Sequence, residues 1–258
     1  MLIDTHCHLD AAEFDADRDA VVARSREAGV GRIVIPAVEQ ANFNAVLQAC
    51  ARYPECVPAL GMHPMYIGVH RPEHLHVLRV AIEQHQPAAV GEIGLDFFVP
   101  DLDPVAQEFY FVEQLKIAKE FDLPVLLHSR KANDQILKQL RRYKLKGGIA
   151  HAFNGSPQQA DEFIKLNFKL GFGGAMTYPR ALNLRRLATE LPLEAIVLET
   201  DAPDMPPVFA HKQRNSPEYL AQIATVLAEL RGLPLEQVIA ATGNNALQVM
   251  GEHLKMGK

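Results

Sequence analysis

Residues 2–10 read Leu2-Ile3-Asp4-Thr5-His6-Cys7-His8-Leu9-Asp10. Read as a β-strand over residues 2–9, the segment sends His6 and His8 to one face, because side chains alternate with period two. Two imidazoles at that spacing can hold one metal ion. Cys7 then points the other way, into the layer between strand and helix, as a packed thiol. Seven further β-rich runs follow, at 31–38, 56–62, 88–95, 124–128, 147–153, 168–173 and 195–201. Helical stretches separate them. Phe109, Val112 and Leu115 recur at helical spacing. Ser156-Pro157-Gln158-Gln159 is a capping-box start with proline at the first helical position. Ser216-Pro217 opens another helix, with Leu220, Ile223 and Leu227 along one side.

Eight strands alternating with helices imply right-handed crossovers and a parallel sheet. The chain has 258 residues, and a closed barrel of eight strand–helix units takes about 250. The expected fold is therefore an α/β (β/α)8 TIM barrel, one domain over residues 1–258. No linker, repeat or low-complexity tract divides it. The Gly-Phe-Gly-Gly run at 171–174 lacks the spacing of either glycine-rich phosphate fingerprint.

Composition narrows the class. Hydrophobic residues make up 48% and charged residues 22%, an ordinary globular balance. No apolar run approaches the ~18 residues of a membrane span, and no signal peptide is visible. Three irregularly spaced cysteines, Cys7, Cys50 and Cys56, offer no disulfide framework, so a reducing cytoplasm is expected. The net charge of −5 is unlike that of proteins that grip long nucleic acid through phosphates. Any nucleic-acid activity must rest on a local site. No obligate protein partner is evident.

Parallel barrel strands are covered by helices outside and read as near-continuous apolar runs. Five strands here break that rule near their C-terminal ends. The first carries His6 and His8. The fourth carries Glu92 and ends in Asp96. The fifth ends in His128, the sixth carries His151, and the eighth carries Glu199 and ends in Asp201. Any one of these histidines alone reads as a packed rim residue, and a single acid as half of an ion pair. Four histidines and several acids at one barrel mouth read differently, since that mouth is where such folds place their chemistry. Buried without partners, each group costs several kcal/mol; a metal ion pairs them all.

Secondary candidates surround this set. His63, in Gly-Met-His-Pro after strand three, either contacts substrate or is a turn residue before proline. Glu199 shares a strand face with Asp201 and serves substrate, a ligand or an ion pair. Arg130 and Lys131 enter the fifth βα loop and meet either phosphate or solvent. The loop 202–215 lies at the mouth, and its His211, Lys212 and Arg214 are the best-placed phosphate ligands outside the metal site. The basic run 138–146 belongs on the far side of the barrel, as a solvated helix end.

The runs Ile-Asp-Thr-His-Cys-His-Leu-Asp (3–10), Gly-Met-His-Pro (61–64), Gly-Glu-Ile-Gly-Leu-Asp (91–96), Pro-Val-Leu-Leu-His-Ser-Arg (124–130), His-Ala-Phe-Asn-Gly-Ser (151–156) and Leu-Glu-Thr-Asp-Ala-Pro (198–203) together resemble the TatD family of metal-dependent deoxyribonucleases, within the amidohydrolase superfamily of TIM barrels. The match runs through essentially the whole chain, in order. Residues 176–181 and 201–206 are similar to the YjjV branch of that family. The resemblance implies six metal ligands: His6, His8, Glu92, His128, His151 and Asp201. Many amidohydrolases bridge two metals with a carbamylated lysine on strand four; here Glu92 takes that place, and a carboxylate bridges unmodified. The chain departs from the family at Asn244-Asn245-Ala246-Leu247-Gln248-Val249-Met250, where the family's Asn-x-x-Arg-Leu-Phe type segment has an arginine.

The resulting expectation is two divalent cations (Zn, Mn, Mg, Co or Ni), roughly 3.5–4 Å apart as in other two-metal hydrolases. His6, His8, Glu92 and Asp201 hold one, and Glu92, His128 and His151 hold the other. Asp201 and Glu92 are the catalytic carboxylates; His63, Arg130, Glu199, Lys212 and Arg214 bind substrate. The implied activity is a 3′–5′ exodeoxyribonuclease acting on single-stranded DNA ends. The same metals could instead serve a small ester, lactone or phosphotriester, since such barrels differ in their loops. A non-catalytic metal-dependent binding module is the remaining class.

Overall fold

The computed structural model describes residues 1–254, the side chain of Glu252 excepted; residues 255–258 of the expected domain lie outside this range. Eight parallel strands run in the order in which they occur along the chain, each paired with the next. They are β1 (Leu2–Asp4), β2 (Val30–Pro36), β3 (Cys56–Leu60), β4 (Ala89–Asp96), β5 (Val125–Arg130), β6 (Gly148–Ala150), β7 (Phe168–Phe172) and β8 (Ile196–Leu198). The helices are α1 (Arg18–Glu27), α2 (Phe43–Arg52), α3 (Pro72–His85), α4 (Pro104–Glu120), α5 (Asn133–Tyr143), α6 (Pro157–Lys165), α7 (Leu182–Glu190), α8 (Leu220–Arg231) and α9 (Leu235–Met250). The fold is the expected TIM barrel. No helix among the described residues is long and apolar enough to cross a membrane.

Local signals explain several boundaries. Ser156 Oγ accepts from Gln159 N at 3.1 Å while Gln159 Oε1 accepts from Ser156 N at 3.0 Å, so the capping box reciprocally satisfies two orphan donors. Asp103 caps α4 by accepting from Val105 N and Ala106 N. The stripe expected in α4 is only partly the buried face. Leu115 is buried, but Phe109 is 46% exposed, and Tyr110, Phe111, Gln114 and Ala118 do the packing. Ser216-Pro217 opens a 3-10 turn (Pro217–Tyr219) that leads into α8.

Two apolar layers hold the barrel. Ile3, Val34, Val57, Ala59, Ala89, Leu126, Ile149 and Val197 fill the interior, and Ala246, Met250 and Leu254 close it from below. A larger layer, which includes Cys7, Ile33, Ile35, Leu60, Ile93, Leu127 and Leu170, packs the strands against the helices. The closure at the N-terminal end comes from α9, the segment where the chain departs from the family pattern. Asn245 Nδ2 donates to Leu193 O at 2.8 Å and to Ile196 O at 2.7 Å, which ties α9 to the start of β8.

Several strands are shorter than the sequence indicates. The first ends at Asp4, because its buried carboxylate takes over hydrogen bonding there: Thr200 N donates to it at 2.9 Å and His6 N at 3.3 Å. Thr200 Oγ1 donates at 2.5 Å. Beyond Asp4 the backbone stays extended between β8 and β2. Thr5 N donates to Leu198 O, Cys7 N to Val34 O and His8 N to Ala202 O, at 3.1, 3.0 and 2.7 Å. These bonds and Asp201 N to His6 O at 2.8 Å close the barrel where β8 meets β1. His6, His8, His151, Glu199 and Asp201 therefore sit just past strand ends, on loop backbone fixed by the ladder below it.

Candidate metal centre

The strand ends bring their polar residues to one cavity of about 1260 Å³ at the C-terminal mouth of the barrel. Glu92 stands at its centre, 2% exposed. Its Oε2 lies 3.0 Å from His6 Nε2 and 3.7 Å from His8 Nε2. Its Oε1 lies 3.2 Å from each of His63 Nε2, His128 Nδ1 and His151 Nε2. Asp201 Oδ1 completes the first side, 3.8 Å from His6 Nε2 and 3.7 Å from His8 Nε2. One carboxylate thus faces two separate groups of imidazoles with its two oxygens.

Further contacts fix the rings. His128 Nε2 lies 2.9 Å from Asp96 Oδ2. His151 Nδ1 faces Glu199 Oε1 at 3.5 Å, and Ala152 N donates to the same oxygen at 2.5 Å. Such outer carboxylates set the tautomer of a ligating imidazole. Space for Glu199 comes from Gly171, where a Cβ would sit 2.1 Å from Glu199 Oε2. Asp201 holds a left-handed conformation, φ 58°, pinned by its N–H bond to His6 O.

His63 is set apart from the other imidazoles. Its Nδ1 accepts from Met65 N at 3.1 Å, so the ring proton of the neutral form sits on Nε2. That nitrogen is a donor aimed into the site, not a lone pair offered to a metal. His70 Nε2 holds His63 from behind, 2.9 Å from its carbonyl oxygen.

Protonation follows from this packing. Burial, together with the neighbouring His151, pushes His6 down to about 3, and burial pushes His63 down to about 4 despite Glu92. Both rings are neutral near pH 7. Burial opposes ionisation of Glu92, but the imidazoles of His63, His6 and His151 around it, with the charge carried on His151, hold the carboxyl well below its ordinary range. Burial lifts Asp201 to about 6 against the pull of His151 and His8. His6 and His151 stack with centroids 4.0 Å apart, and only one of such a pair can carry a proton comfortably. Burial opposes a charge on His151, yet Glu92 and Asp201 raise its pKa well above that of free histidine.

The donor set fits divalent cations. Three groups, His6 with His8 and Asp201, His6 with Glu92 and His151, and His63 with Glu92 and His128, each present ligand atoms within 4.8 Å of one another. Imidazole and carboxylate together suit Zn, Mn, Co or Ni better than Mg alone. The buried His6 Nδ1 has no hydrogen-bond partner among the described residues, so nothing on that side draws the ring away from Glu92.

Not every candidate reaches this cavity. His63, Arg130 and Glu199 line it; Lys212 and Arg214 do not. Arg214 instead donates to both oxygens of Asp17, each at 2.8 Å, and to Glu13 O, and its guanidinium lies 4.4 Å from the centroid of Phe14. The reason is the loop anchor. Asn215 Nδ2 donates to Thr200 O and Asp204 O, both at 2.7 Å, which folds the loop back and directs Arg214 towards α1. Lys212 is exposed outside the mouth. His211 Nδ1 pairs with Tyr178 OH at 3.1 Å. Asp96 stands four residues after Glu92 on one strand, which puts both on the same face, and it joins the site through His128.

Comparison with known proteins agrees with this geometry. A model of the TatD related DNase family matches residues 3–251. The chain is 45% identical over 247 residues to the uncharacterized metal-dependent hydrolase YjjV of Escherichia coli, covering 94% of this chain and 95% of that one. It is 33% identical to the 3′-5′ ssDNA/RNA exonuclease TatD of Citrobacter rodentium, covering 98% and 99%. The crystal structure of the E. coli YjjV protein superposes with a TM-score of 0.93, at 43% identity over 96% of this chain and 97% of that one. The chain belongs to the TatD family and is a metal-dependent hydrolase.

Proposed function

We propose that this hydrolase is a 3′–5′ exonuclease that shortens single-stranded DNA ends with two divalent cations. His6, His8, Glu92 Oε2 and Asp201 would hold one cation, and Glu92 Oε1, His128 and His151 the other. Bound there, the cations would supply Lewis-acid polarisation of a phosphoryl oxygen and activation of a water.

The chain's own groups account for the remaining work. Asp201, whose Oδ1 faces His6 and His8 across the first cation site, is placed to take the proton from the attacking water. Water attacks phosphorus, the P–O3′ bond breaks, and the deoxyribose 3′-oxygen leaves. His63, neutral and carrying its proton on Nε2, donates a hydrogen bond to a phosphoryl oxygen. Asp96 and Glu199 keep His128 and His151 aimed.

The observation that carries this reading is the distribution of charge in the cavity. Among the described residues, the Lys and Arg side chains lining it are Arg130 and Lys131, against the acids Asp10, Glu13, Glu92, Asp134, Glu199, Asp201 and Asp204. Phosphate is attracted at the cation sites and on one side alone. Continuous duplex needs a long basic track; a bare strand end does not. The volume also exceeds the ~300–1,000 Å³ of pockets shaped for one small ligand. The C. rodentium relative, a 3′-5′ ssDNA/RNA exonuclease, supports the polarity and the preference for single strands.

The test is metal-stripped protein reloaded with Mn, Zn, Mg, Co or Ni. It is challenged with 5′-labelled single strands and duplexes, and with a panel of esters, lactones and phosphotriesters. A ladder shortening from the 3′ end of single strands, only after reloading, is expected. Ester or lactone turnover with no nucleotide released would replace this function with a small-molecule one.

A further inference from the structure

We infer that Phe98 is a stacking platform for a nucleobase, with Arg130 and Lys131 beside it taking that nucleotide's phosphate. The inference rests on the nuclease reading above and adds the subsite that grips the strand.

Phe98 lines the same cavity as Glu92 and His128 and is 48% exposed. A large apolar ring left open to water at a polar mouth gains from being covered. The Arg130 guanidinium lies over it, 3.7 Å from the ring centroid, and Lys131 Nζ is 4.8 Å away. Neither cation has an ion-pair partner among the described residues, although acids line much of the cavity. An aromatic ring with a guanidinium over one face and no acid pairing either cation is a combination that binds single strands: the base stacks on the face the guanidinium leaves, and the phosphate meets the charge. Lys131 holds a left-handed backbone, φ 54°. A lysine pays for that conformation, and such strain collects at ligand sites.

The platform is joined to the metal centre by one side chain. Asp96 Oδ2 faces His128 Nε2, while its Oδ1 accepts from Phe98 N at 2.9 Å and Val99 N at 3.0 Å. Phe97 N donates to Arg130 O at 2.9 Å, which locks the two loops together. The ring therefore keeps a fixed offset from the ligand histidine. A strand end seated on it presents its phosphates at a set register to the hydrolytic centre.

The test pairs Phe98→Ala and Phe98→Trp with oligonucleotides carrying an abasic residue at each of the last few positions in turn. Stacking of one base is worth about 1–3 kcal/mol by alanine substitution, so Phe98→Ala should raise KM about 5- to 150-fold on the normal strand with kcat little changed. Phe98→Trp should restore KM. One abasic position should raise the wild-type KM similarly yet leave the KM of Phe98→Ala unmoved. Equal KM increases from Phe98→Ala on normal and abasic strands, or no increase at all, would overturn the platform while leaving the nuclease standing. Absence of nucleotide release by the wild-type protein under every metal would overturn both. Unchanged melting temperatures show that the variants fold.

Discussion

Asp96 and His128 form a carboxylate–imidazole pair, Oδ2 to Nε2 at 2.9 Å, and the pair fixes which nitrogen of His128 faces the metal centre. The carboxylate accepts the Nε2 proton, which leaves Nδ1, 3.2 Å from Glu92 Oε1, as the nitrogen that would face a cation; without one, burial opposes a charge on the ring but Asp96 and Glu92 raise its pKa. Burial resists ionisation of Asp96, but the hydrogen bonds from His128, Val99 and Phe98 hold its carboxyl well below the ordinary range. It is an acceptor at any working pH.

Asp96→Asn follows directly. An amide keeps the Oδ1 bonds to Phe98 N and Val99 N but places an NH2 opposite His128, which must then move its proton to Nδ1. Metal affinity should fall about 10- to 100-fold with little change in melting temperature. Calorimetric titration of the stripped protein with Mn checks it; wild-type affinity would show that Asp96 does not set the tautomer.

Gly171→Ala probes the other outer carboxylate. The added Cβ would lie 2.1 Å from Glu199 Oε2 and must displace it from His151 and Ala152 N. Metal affinity and kcat/KM should both drop, again by about 10- to 100-fold. Full activity with a repacked Glu199 would remove Glu199 from the site's supporting shell.

Arg214→Ala should leave cleavage intact and lower stability by about 1 kcal/mol, the upper end for a part-exposed ion pair with some packing lost on Phe14. Arg214 holds the Asp17 carboxyl below its ordinary value. A depressed carboxyl contributes stability above its unfolded pKa of about 4 and loses it as pH falls through the folded value. The gap between variant and wild type should thus be constant from pH 8 to 5 and shrink below pH 4. A raised KM for DNA would instead return Arg214 to the substrate.

Asn245→Ala tests the closure at the far end of the barrel. It leaves Leu193 O and Ile196 O without their buried donor and should cost about 1–3 kcal/mol, seen as a lower melting temperature with unchanged Mn affinity. An unaltered melting temperature would mean that water replaces the amide.

The barrel was legible because alternation of apolar runs and helices needs no long-range knowledge, and because polar groups interrupted those runs at one end only. The convergence of His6, His8, Glu92, His128, His151 and Asp201 was legible for the same reason. Strand lengths were not: Asp4 ends β1 through a bond to Thr200, almost the whole chain away, and no local pattern encodes it. Lys212 and Arg214 had the right chemistry and the right loop, but Asn215 turns that loop outward through carbonyls at 200 and 204. Phe98 carries no local signal; the placement of Arg130 over it, across the β4–β5 pairing, marks it out. Gly171, dismissed as a phosphate loop, gains its meaning from Glu199 on the neighbouring strand.

Glu92 is the hinge of the account, since its two oxygens address two groups of histidines. The most direct measurement is an anomalous difference map from crystals of the Mn-loaded protein. Two peaks should appear, one beside Glu92 Oε2 among His6, His8 and Asp201, the other beside Oε1 between His128 and His151. A single peak, or a second one held by His63 in place of His128, would contradict it.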